Sequence, residues 1–592
     1  MLKGVKLGQF CIINLNETKA MKSLLLTICL CFITVLSFAQ QADSSHSKQT
    51  AQETSSKVSF TGEMNLTTGY YEINGLGGLQ GQFNPWIANG NFTLISQSGW
   101  IIPINFLWSS QNYQYRQPYN QIGASPQFKK WLKLHGGYRN VYFSPLTLAG
   151  HSFLGGGIEL NPGVLRIGAV YGKLNRAIES NYANPDQVAS FERTGYSFKL
   201  GLGNQRNYFD VILLKASDNP SSIQTGNNPL KPAENLVVGI SSRLYLNPKL
   251  RLEIDAAGSA YTNDLRTDEI TATQVQAADQ ELHAQYLQHT KDVFVPRAST
   301  QAYSAIQASL VRKGKYTDLK MRYKRIEPGY KSMGAYYFQT DLESFLIAPT
   351  LKMFKNRLSL QTSIGYQHDN LLNQKKTQTN RLIGSVTLAL STDNNLMIDL
   401  GFSNYGITQK AGYIPLNDTL RLSQNDRTFS ANMMKIWVGK SATHNLMAAA
   451  IYQELKDLNP LTADFNQNQN WNYTFNYSWQ NFSLYMNVNA GYSYTQTKAL
   501  GMSTVFQGPS LNVSKKLLKN QKLSTSLGVS YLTIEENIAE FNQKGTVITN
   551  TLGIEYQLTA THRFSLHWNY IESKGMQAFS QYQGNIQYTM NF

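Results

Sequence analysis

The chain has 592 residues and a formal net charge of +16, yet charged side chains are only 15% of it and aromatics reach 12%, with 34 Tyr against 27 Phe. A soluble protein this large carries about 25% charge, so a string of ordinary soluble domains fits poorly. The basic residues are dispersed singly, without a basic helix or cluster, which argues against a nucleic-acid surface, and no apolar run after residue 40 is long enough for a membrane helix.

In chain order, the first feature is a secretory leader. Lys22 supplies the positive start, Leu24 to Phe38 the apolar core, and Ser37-Phe38-Ala39 the small residues of a cleavage site. Met21 is the expected initiator, so residues 1–40 read as an over-extended start plus a cleaved signal peptide. Cys11, Cys29 and Cys31 all precede the cut, and neither Cys29 nor Cys31 follows the small residue that lipid attachment needs. Gln41 to Lys57 is rich in Ser, Thr and Gln, has no apolar pattern, and reads as a short flexible periplasmic tail.

From residue 58 to 592 the chain is a succession of about 26 segments that alternate apolar and polar residues, the period of a strand. Near Leu250, one face carries Leu250, Leu252, Ile254 and Ala256, the other Arg251, Glu253 and Asp255. Further on, Trp471, Tyr473, Phe475, Tyr477 and Trp479 alternate with Asn472, Thr474, Asn476 and Ser478. After an expected tight turn at Gln480-Asn481 come Phe482, Leu484, Met486, Val488 and Ala490 against Ser483, Tyr485, Asn487 and Asn489. Short connections made of turn-forming residues, such as Lys129-Lys130, Asn161-Pro162-Gly163, Lys355-Asn356 and Thr392-Asp393-Asn394, alternate with long ones, such as Thr262 to Ser299 and Thr408 to Asn425. Short–long alternation all the way round predicts tight periplasmic turns and long external loops. No motif repeats at the period of about 40–50 residues that a propeller requires. One loop segment, Thr271 to His289, spaces Val275, Ala278, Leu282 and Tyr286 as an amphipathic helix does.

Polar residues between the lipid-facing ones are candidates for a lumen wall. Upstream they are basic: Lys133, His135, Arg139, Arg166, Arg193 and Lys199, with acidic partners scarce on the same strands. Downstream they are mixed: Arg251, Glu253 and Asp255, then Asp318, Lys320, Arg322 and Lys324, with Asp341 and Glu343 entering on the next strand. The mixed set suits a lumen salt-bridge network or a transverse field, and the basic set favours anions. Gly136-Gly137, Gly155-Gly156-Gly157 and Gly195, Gly201 and Gly203 allow bends or close backbone approach, as at a barrel corner or the docking site of an inserted loop.

Signals for chemistry are weak. Gly439-Lys440-Ser441 lacks the upstream glycine of a phosphate-binding loop. His283 and His289 fall on different helix faces. His368 and Asp369 are adjacent on a strand and so point to opposite sides. His567 shares a face with Ser565 but has no third partner. No catalytic residue, metal or cofactor is expected.

The chain ends on Gln583 to Phe592, with Ile586, Tyr588, Met590 and Phe592 on one face and amides on the other. This ending resembles the C-terminal targeting strand of Gram-negative outer-membrane β-barrels. The resemblance implies an all-β fold: a transmembrane antiparallel β-barrel of about 26 strands (range 22–26), with long external loops, one holding a short helix. It further implies an integral outer-membrane location with both termini periplasmic, and as partners the membrane lipid, lipopolysaccharide and the barrel assembly machinery. Only about 17 residues separate the cleavage site from the first strand, so no N-terminal plug domain is expected. The expected function is a passive channel for polar or anionic solutes. The alternative is a scaffold or export conduit whose lumen is filled by a periplasmic or surface protein partner or by cargo. A barrel-rim hydrolase is a distant third.

Overall fold

The computed structural model describes residues 58–75, 85–110, 118, 120–180, 188–224, 230–270, 293–335, 339–411, 421–518, 520–538, 541–575 and 578–592. The leader, the tail and the expected helix at 271–289 lie outside these residues. In chain order the strands are β1 (Val58–Asn74), β2 (Trp86–Ser96), β3 (Trp100–Ser109), β4 (Gln121–Ala124), β5 (Gln127–Phe128), β6 (Leu132–Tyr142), β7 (Ala149–Leu160), β8 (Leu165–Asn175) and β9 (Arg193–Gly203). They continue with β10 (Tyr208–Asp218), β11 (Glu234–Asn247), β12 (Leu250–Thr262), β13 (Thr300–Arg312), β14 (Thr317–Ile326), β15 (Leu342–Met353), β16 (Leu358–His368), β17 (Thr377–Ser391) and β18 (Leu396–Ala411). The last are β19 (Ser423–Val438), β20 (Ala442–Asp457), β21 (Asn468–Asn481), β22 (Met486–Ala499), β23 (Met502–Leu517), β24 (Leu523–Ile538), β25 (Phe541–Gln557), β26 (His562–Lys574) and β27 (Phe579–Asn591).

Each strand pairs antiparallel with its sequence neighbours. The segments β4 and β5 are two halves of one strand, interrupted at Ser125-Pro126, and both halves pair with β3 and β6. The sheet is therefore a 26-strand barrel. It closes where β1 meets β27, in register from Glu63↔Asn591 to Asn74↔Ser580. The even count brings β1 in and β27 out at the same end of the barrel.

The outward faces are apolar and uncovered. Leu202 is 63% exposed and Ile364 64%, and most strands around the ring add residues of this kind. Exposed apolar surface of that extent in water would be strongly unfavourable. A closed sheet that satisfies its own backbone hydrogen bonds, with lipid against this belt, removes the penalty. The turns at the termini end carry exposed Trp131, Tyr316, Phe354, Trp437, Phe482 and Tyr485, the aromatic girdle of a membrane interface. Lysines beside them sit over the rings: Lys435 is 5.9 Å from the Trp437 centroid and Lys315 is 5.2 Å from Tyr316.

Two sequence expectations need correction here. The Gln480-Asn481 turn falls two residues later, at 482–485, and Asn481 still pairs with Met486. The reason is local: Asn481 Oδ1 accepts the Leu484 amide at 2.8 Å and Tyr485 takes a left-handed φ of 49°, a four-residue turn stabilised by an Asn side chain. The short–long alternation also stops near the C-terminus. The connection after β22 is only Leu500-Gly501, and those after β24 and β26 span just 539–540 and 575–578. Among the described residues the sole α-helix is a single turn, Ala463–Asn466.

The closing strands are stitched on both faces. Inside, Asn65 Oδ1 accepts Gln587 Nε2 at 2.9 Å and Thr589 Oγ1 at 2.6 Å. Outside, Phe592 packs edge-on to Phe60 (5.1 Å between centroids) and Phe92 (5.4 Å), and its amide donates to Gly62 O at 2.9 Å. Gly62 and Gly90 leave room for this ladder; a Cβ on Gly90 would lie 2.5 Å from Phe106 Cε1. Ile586 and Tyr588 face outward, whereas Met590 is covered to 8% exposure by its neighbours. Replacing Tyr588 and Phe592 together by Asn is expected to remove most of the folded barrel from the membrane fraction. Heat-modifiable migration of membrane extracts on gels measures this, and unchanged levels would disprove the role of the seam.

Candidate functional site: the lumen and its inserted loops

Over part of their length, toward the end away from the termini, the strands from β8 to β14 carry apolar residues on their inner faces as well. Val170, Ile212, Leu214, Ala216, Val237, Ala257, Ala305 and Ile326 point inward and are all buried. They are covered by two connections that turn into the lumen, 143–148 between β6 and β7 and 327–335 between β14 and β15. Phe143, Leu146 and Leu148 from the first and Tyr330 and Met333 from the second complete one hydrophobic core. Gly168 and Gly239 on the barrel wall make the space. A Cβ on Gly168 would meet Phe143 Cζ at 2.7 Å, and one on Gly239 would meet Thr147 Cγ2 at 2.7 Å. The inserted loop thus docks on glycines other than the runs singled out in the sequence. Those runs serve close approach within the wall: a Cβ on Gly201 would lie 2.0 Å from Asp210 Oδ1, and one on Gly155 2.1 Å from Tyr171 O.

The two loops are fastened to each other and to the wall. Tyr330 Oη donates to Leu146 O at 2.5 Å, Ser332 Oγ to Thr147 O at 2.6 Å, and the Ala149 amide to Gly334 O at 2.9 Å. Asn235, fully buried on β11, is the anchor. Its Oδ1 accepts the Met333 amide at 2.9 Å, and its Nδ2 donates to Ser259 Oγ at 2.8 Å and Ala260 O at 3.0 Å. Ser259 Oγ in turn donates to Lys331 O at 2.6 Å. Every backbone polar group that these hydrogen bonds engage is one that burial would otherwise leave unpaired.

The upstream basic residues face inward, but they are matched by carboxylates, which corrects the expectation that acidic partners are scarce. Glu159 on β7 lies 3.0 Å from His135, 3.5 Å from Lys133 and 3.7 Å from Lys199. His135 Nδ1 also meets Ser125 Oγ at 3.1 Å, and Lys199 lies 4.5 Å above the Phe143 ring. Arg166 makes a bidentate pair with Asp210 (2.7 and 2.9 Å), and Arg193 with Asp218 (2.7 and 3.0 Å). Arg139 bonds the Asn105 side chain and Pro103 O instead. The carboxylates sit on the adjacent strand for Lys133, His135 and Arg193, and two strands away for Arg166 and Lys199, which reach across Gly201 and Gly168; pairing register rather than sequence spacing brings them in. These cations are therefore braces beneath the inserted loops, and an anion-attracting field on this wall is not what the geometry gives.

Farther round, Glu253 is shared by Arg243 (2.8 Å) and Arg251 (3.4 Å), with Asp255 next along the same inward face opposite Ser241. Asp318 is held by Lys352 at 2.5 Å. Lys320, Arg322 and Lys324 continue its inward face, and none of them has an ion pair among the described residues. Asp341 and Glu343 do not join this wall. Asp341 precedes β15 in the outer loop, with φ of 54°, and contacts Lys375 at 2.5 Å while accepting the Leu371 amide at 2.8 Å. Burial pushes its carboxyl up, but Lys375 and the Leu371 and Asn370 amides outweigh this and hold it below its ordinary value. Glu343 shares the outward face with Phe345, because the register sets it opposite Arg325 and His368. There it accepts Tyr323 Oη at 2.6 Å and lies 3.0 Å from His368 Nε2 and 3.5 Å from Arg325. The His368 partner is thus a cross-strand glutamate rather than the adjacent Asp369. Among the described residues no cluster of three metal-ligating side chains occurs.

No family model matches the chain, and no curated protein matches it. Solved structures to which the chain is similar include OpdK of Pseudomonas aeruginosa, crystallised with vanillate (10% identity, TM-score 0.28, 68% of this chain and 98% of that one). Others are OccAB3 of Acinetobacter baumannii (8%, 0.28, 68% and 99%) and the translocation pore of the P pilus usher PapC (11%, 0.36, 90% and 99%). The closed pairing described above, rather than these distant likenesses, establishes the barrel.

The sequence did carry a signal for the inserted loops. Val211-Ile212-Leu213-Leu214 and Leu236-Val237-Val238 are continuous apolar runs, which mark strands buried on both faces. Tyr330→Ala is expected to undock the loops at a cost of about 3 kcal/mol, as for a large buried ring, while the barrel stays closed. Maleimide labelling of a Met333→Cys reporter should rise sharply in the Tyr330→Ala background; equal labelling in both backgrounds would show that Tyr330 does not hold the loops.

Proposed function

We propose that the chain is an integral outer-membrane barrel that passes polar solutes passively along one side of its lumen. The observation that carries this reading is the contrast between the two inner walls. On the β8–β14 side the two inserted loops cover the apolar patch of the wall. The β20–β27 side presents amides and hydroxyls, including Asn472, Thr474, Asn487, Asn489, Thr551 and Gln583, which are partly exposed and face no inserted segment among the described residues. A ring of 26 strands, spaced about 4.8 Å and tilted about 40°, is roughly 50 Å across. The connection 327–341, anchored at both ends, reaches at most about 26 Å from the wall. The described loops therefore occupy one flank only. Purified protein in planar bilayers should conduct, and more so for small polar solutes than for apolar ones in liposome-swelling assays. A complete lack of conductance would overturn the passive reading.

A second reading is supported by the same width: a conduit or scaffold whose remaining lumen takes a protein partner or a larger cargo. A silent pore that co-purifies with a lumenal protein would favour it. In both readings the chain performs no chemistry on what it carries, contacts outer-membrane lipid and lipopolysaccharide, and depends on the barrel assembly machinery for insertion. Both also place the short turns and the two termini in the periplasm. An epitope inserted at Pro220, in the connection after β10, should then be reached by antibody on intact cells, and one at Asn161 only after permeabilisation. The reverse pattern would invert the barrel.

A further inference from the structure

With Glu159, Asp210, Asp218, Glu253 and Asp318 committed to their partners, one stretch of lumen wall keeps uncompensated positive charge. Lys320, Arg322 and Lys324 project inward from β14 at alternate positions, so their Cα atoms span about 13 Å. The flanking strands bring no carboxylate. On one side the residues opposite are Val311, Ser309 and Gln307, on the other Ala348, Leu346 and Ser344. The carboxylates nearest in register, Glu253 and Asp255, lie two strand spacings away, about 10 Å, and Glu253 already serves two arginines. On the other flank, the row that starts at Lys324 runs through Ser344 and Gln367 to Arg381, whose Nε is buried with no hydrogen-bond partner among the described residues. The stripe begins beside the Asp318–Lys352 pair at the termini end and stops at Ile326, directly beneath the inserted 327–335 loop.

Three like charges at alternate positions of one strand repel one another, and no ion pair among the described residues relieves them. We propose that Lys320, Arg322 and Lys324 form a binding ladder for an elongated multivalent anion, phosphate- or carboxylate-bearing, whose charges are spread over roughly the 13 Å of the stripe. Arg322 supplies a bidentate fork and the two lysines supply point charges. A compact anion reaches one rung at a time, whereas an extended one engages all three, so the ladder selects by length as well as by charge. Because the rungs face a wet lumen, each contributes modestly and the attraction fades with salt.

The inference rests on the solute-passage reading for its biological sense but is tested independently of it, by binding to the full-length protein in detergent micelles. Isothermal titration with inorganic tripolyphosphate, trigalacturonate and orthophosphate is the measurement. Tripolyphosphate or trigalacturonate should bind more tightly than orthophosphate; whichever of the two binds assigns the acidic group, and binding of neither overturns the proposal. Each of Lys320→Gln, Arg322→Gln and Lys324→Gln should weaken binding about two- to fivefold, and the triple variant at least about tenfold. Lys435→Gln, on the outer face, should change nothing. Heat-modifiable migration certifies each variant as folded, and undiminished binding in a folded triple variant also overturns the proposal. Conductance without binding would sink the ladder and leave the channel; binding without conductance would keep the ladder and sink the passive channel.

Discussion

Everything in this molecule depends on the pairing of β1 with β27. A sheet in lipid has no water to satisfy its edge amides and carbonyls, each of which would be strongly unfavourable if left open. The seam removes both edges at once, and the sequence invests in it on both faces. Asn65 gathers Gln587 and Thr589 inside, and Phe592 seats against Phe60 and Phe92 outside. With the edges gone, the apolar stripe on each strand can face hydrocarbon and the polar stripe water, and the rest of the architecture follows from a two-residue period.

The lumen is built on the exception to that period. Where β8, β10, β11 and β14 turn apolar side chains inward, water cannot be their neighbour, and the chain provides its own cover in the segments 143–148 and 327–335. The cover brings buried backbone with it, which explains Asn235, Ser259 and Ser332: each satisfies a carbonyl or amide that the core would strand. The ion pairs of Glu159, Asp210 and Asp218 belong to the same device. They neutralise basic residues that stand next to this core, and a bidentate pair such as Arg166–Asp210 fixes orientation as much as it adds energy. Removing one partner of such a pair would strand a charge in a poorly hydrated place, which is more harmful than never having had the pair.

Strand number and facing were legible in the residues because both come from alternation alone. Tyr473, Phe475 and Tyr477 point outward and Asn472 and Thr474 inward as the pattern requires, and the barrel closes at the expected 26 strands. Less legible was whatever depends on register between strands. Asp210 and Asp218 stand 44 and 25 residues from the arginines they hold, a separation that no local pattern encodes. Glu343 failed for a related reason: its face is set by its place one step beyond Leu342, where β15 begins, and a one-residue uncertainty at a strand start inverts inside and outside. The inserted loops were hinted at by Val211 to Leu214 but not located, since Tyr330 and Leu146 meet across 184 residues.

The inserted loops also divide the barrel mechanically. From β8 to β14 the wall is a double layer, a sheet backed by a packed core with hydrogen bonds across it; over β20 to β27 the described residues form a single layer with lipid on one side and solvent on the other. A packed core has low compressibility, and the single-layer arc has no such backing among the described residues. Lateral pressure from a surrounding bilayer would therefore meet unequal resistance from the two arcs. Thinning or thickening of the membrane would then act first on the amide-lined side of the bore and last on the wall behind the inserted loops.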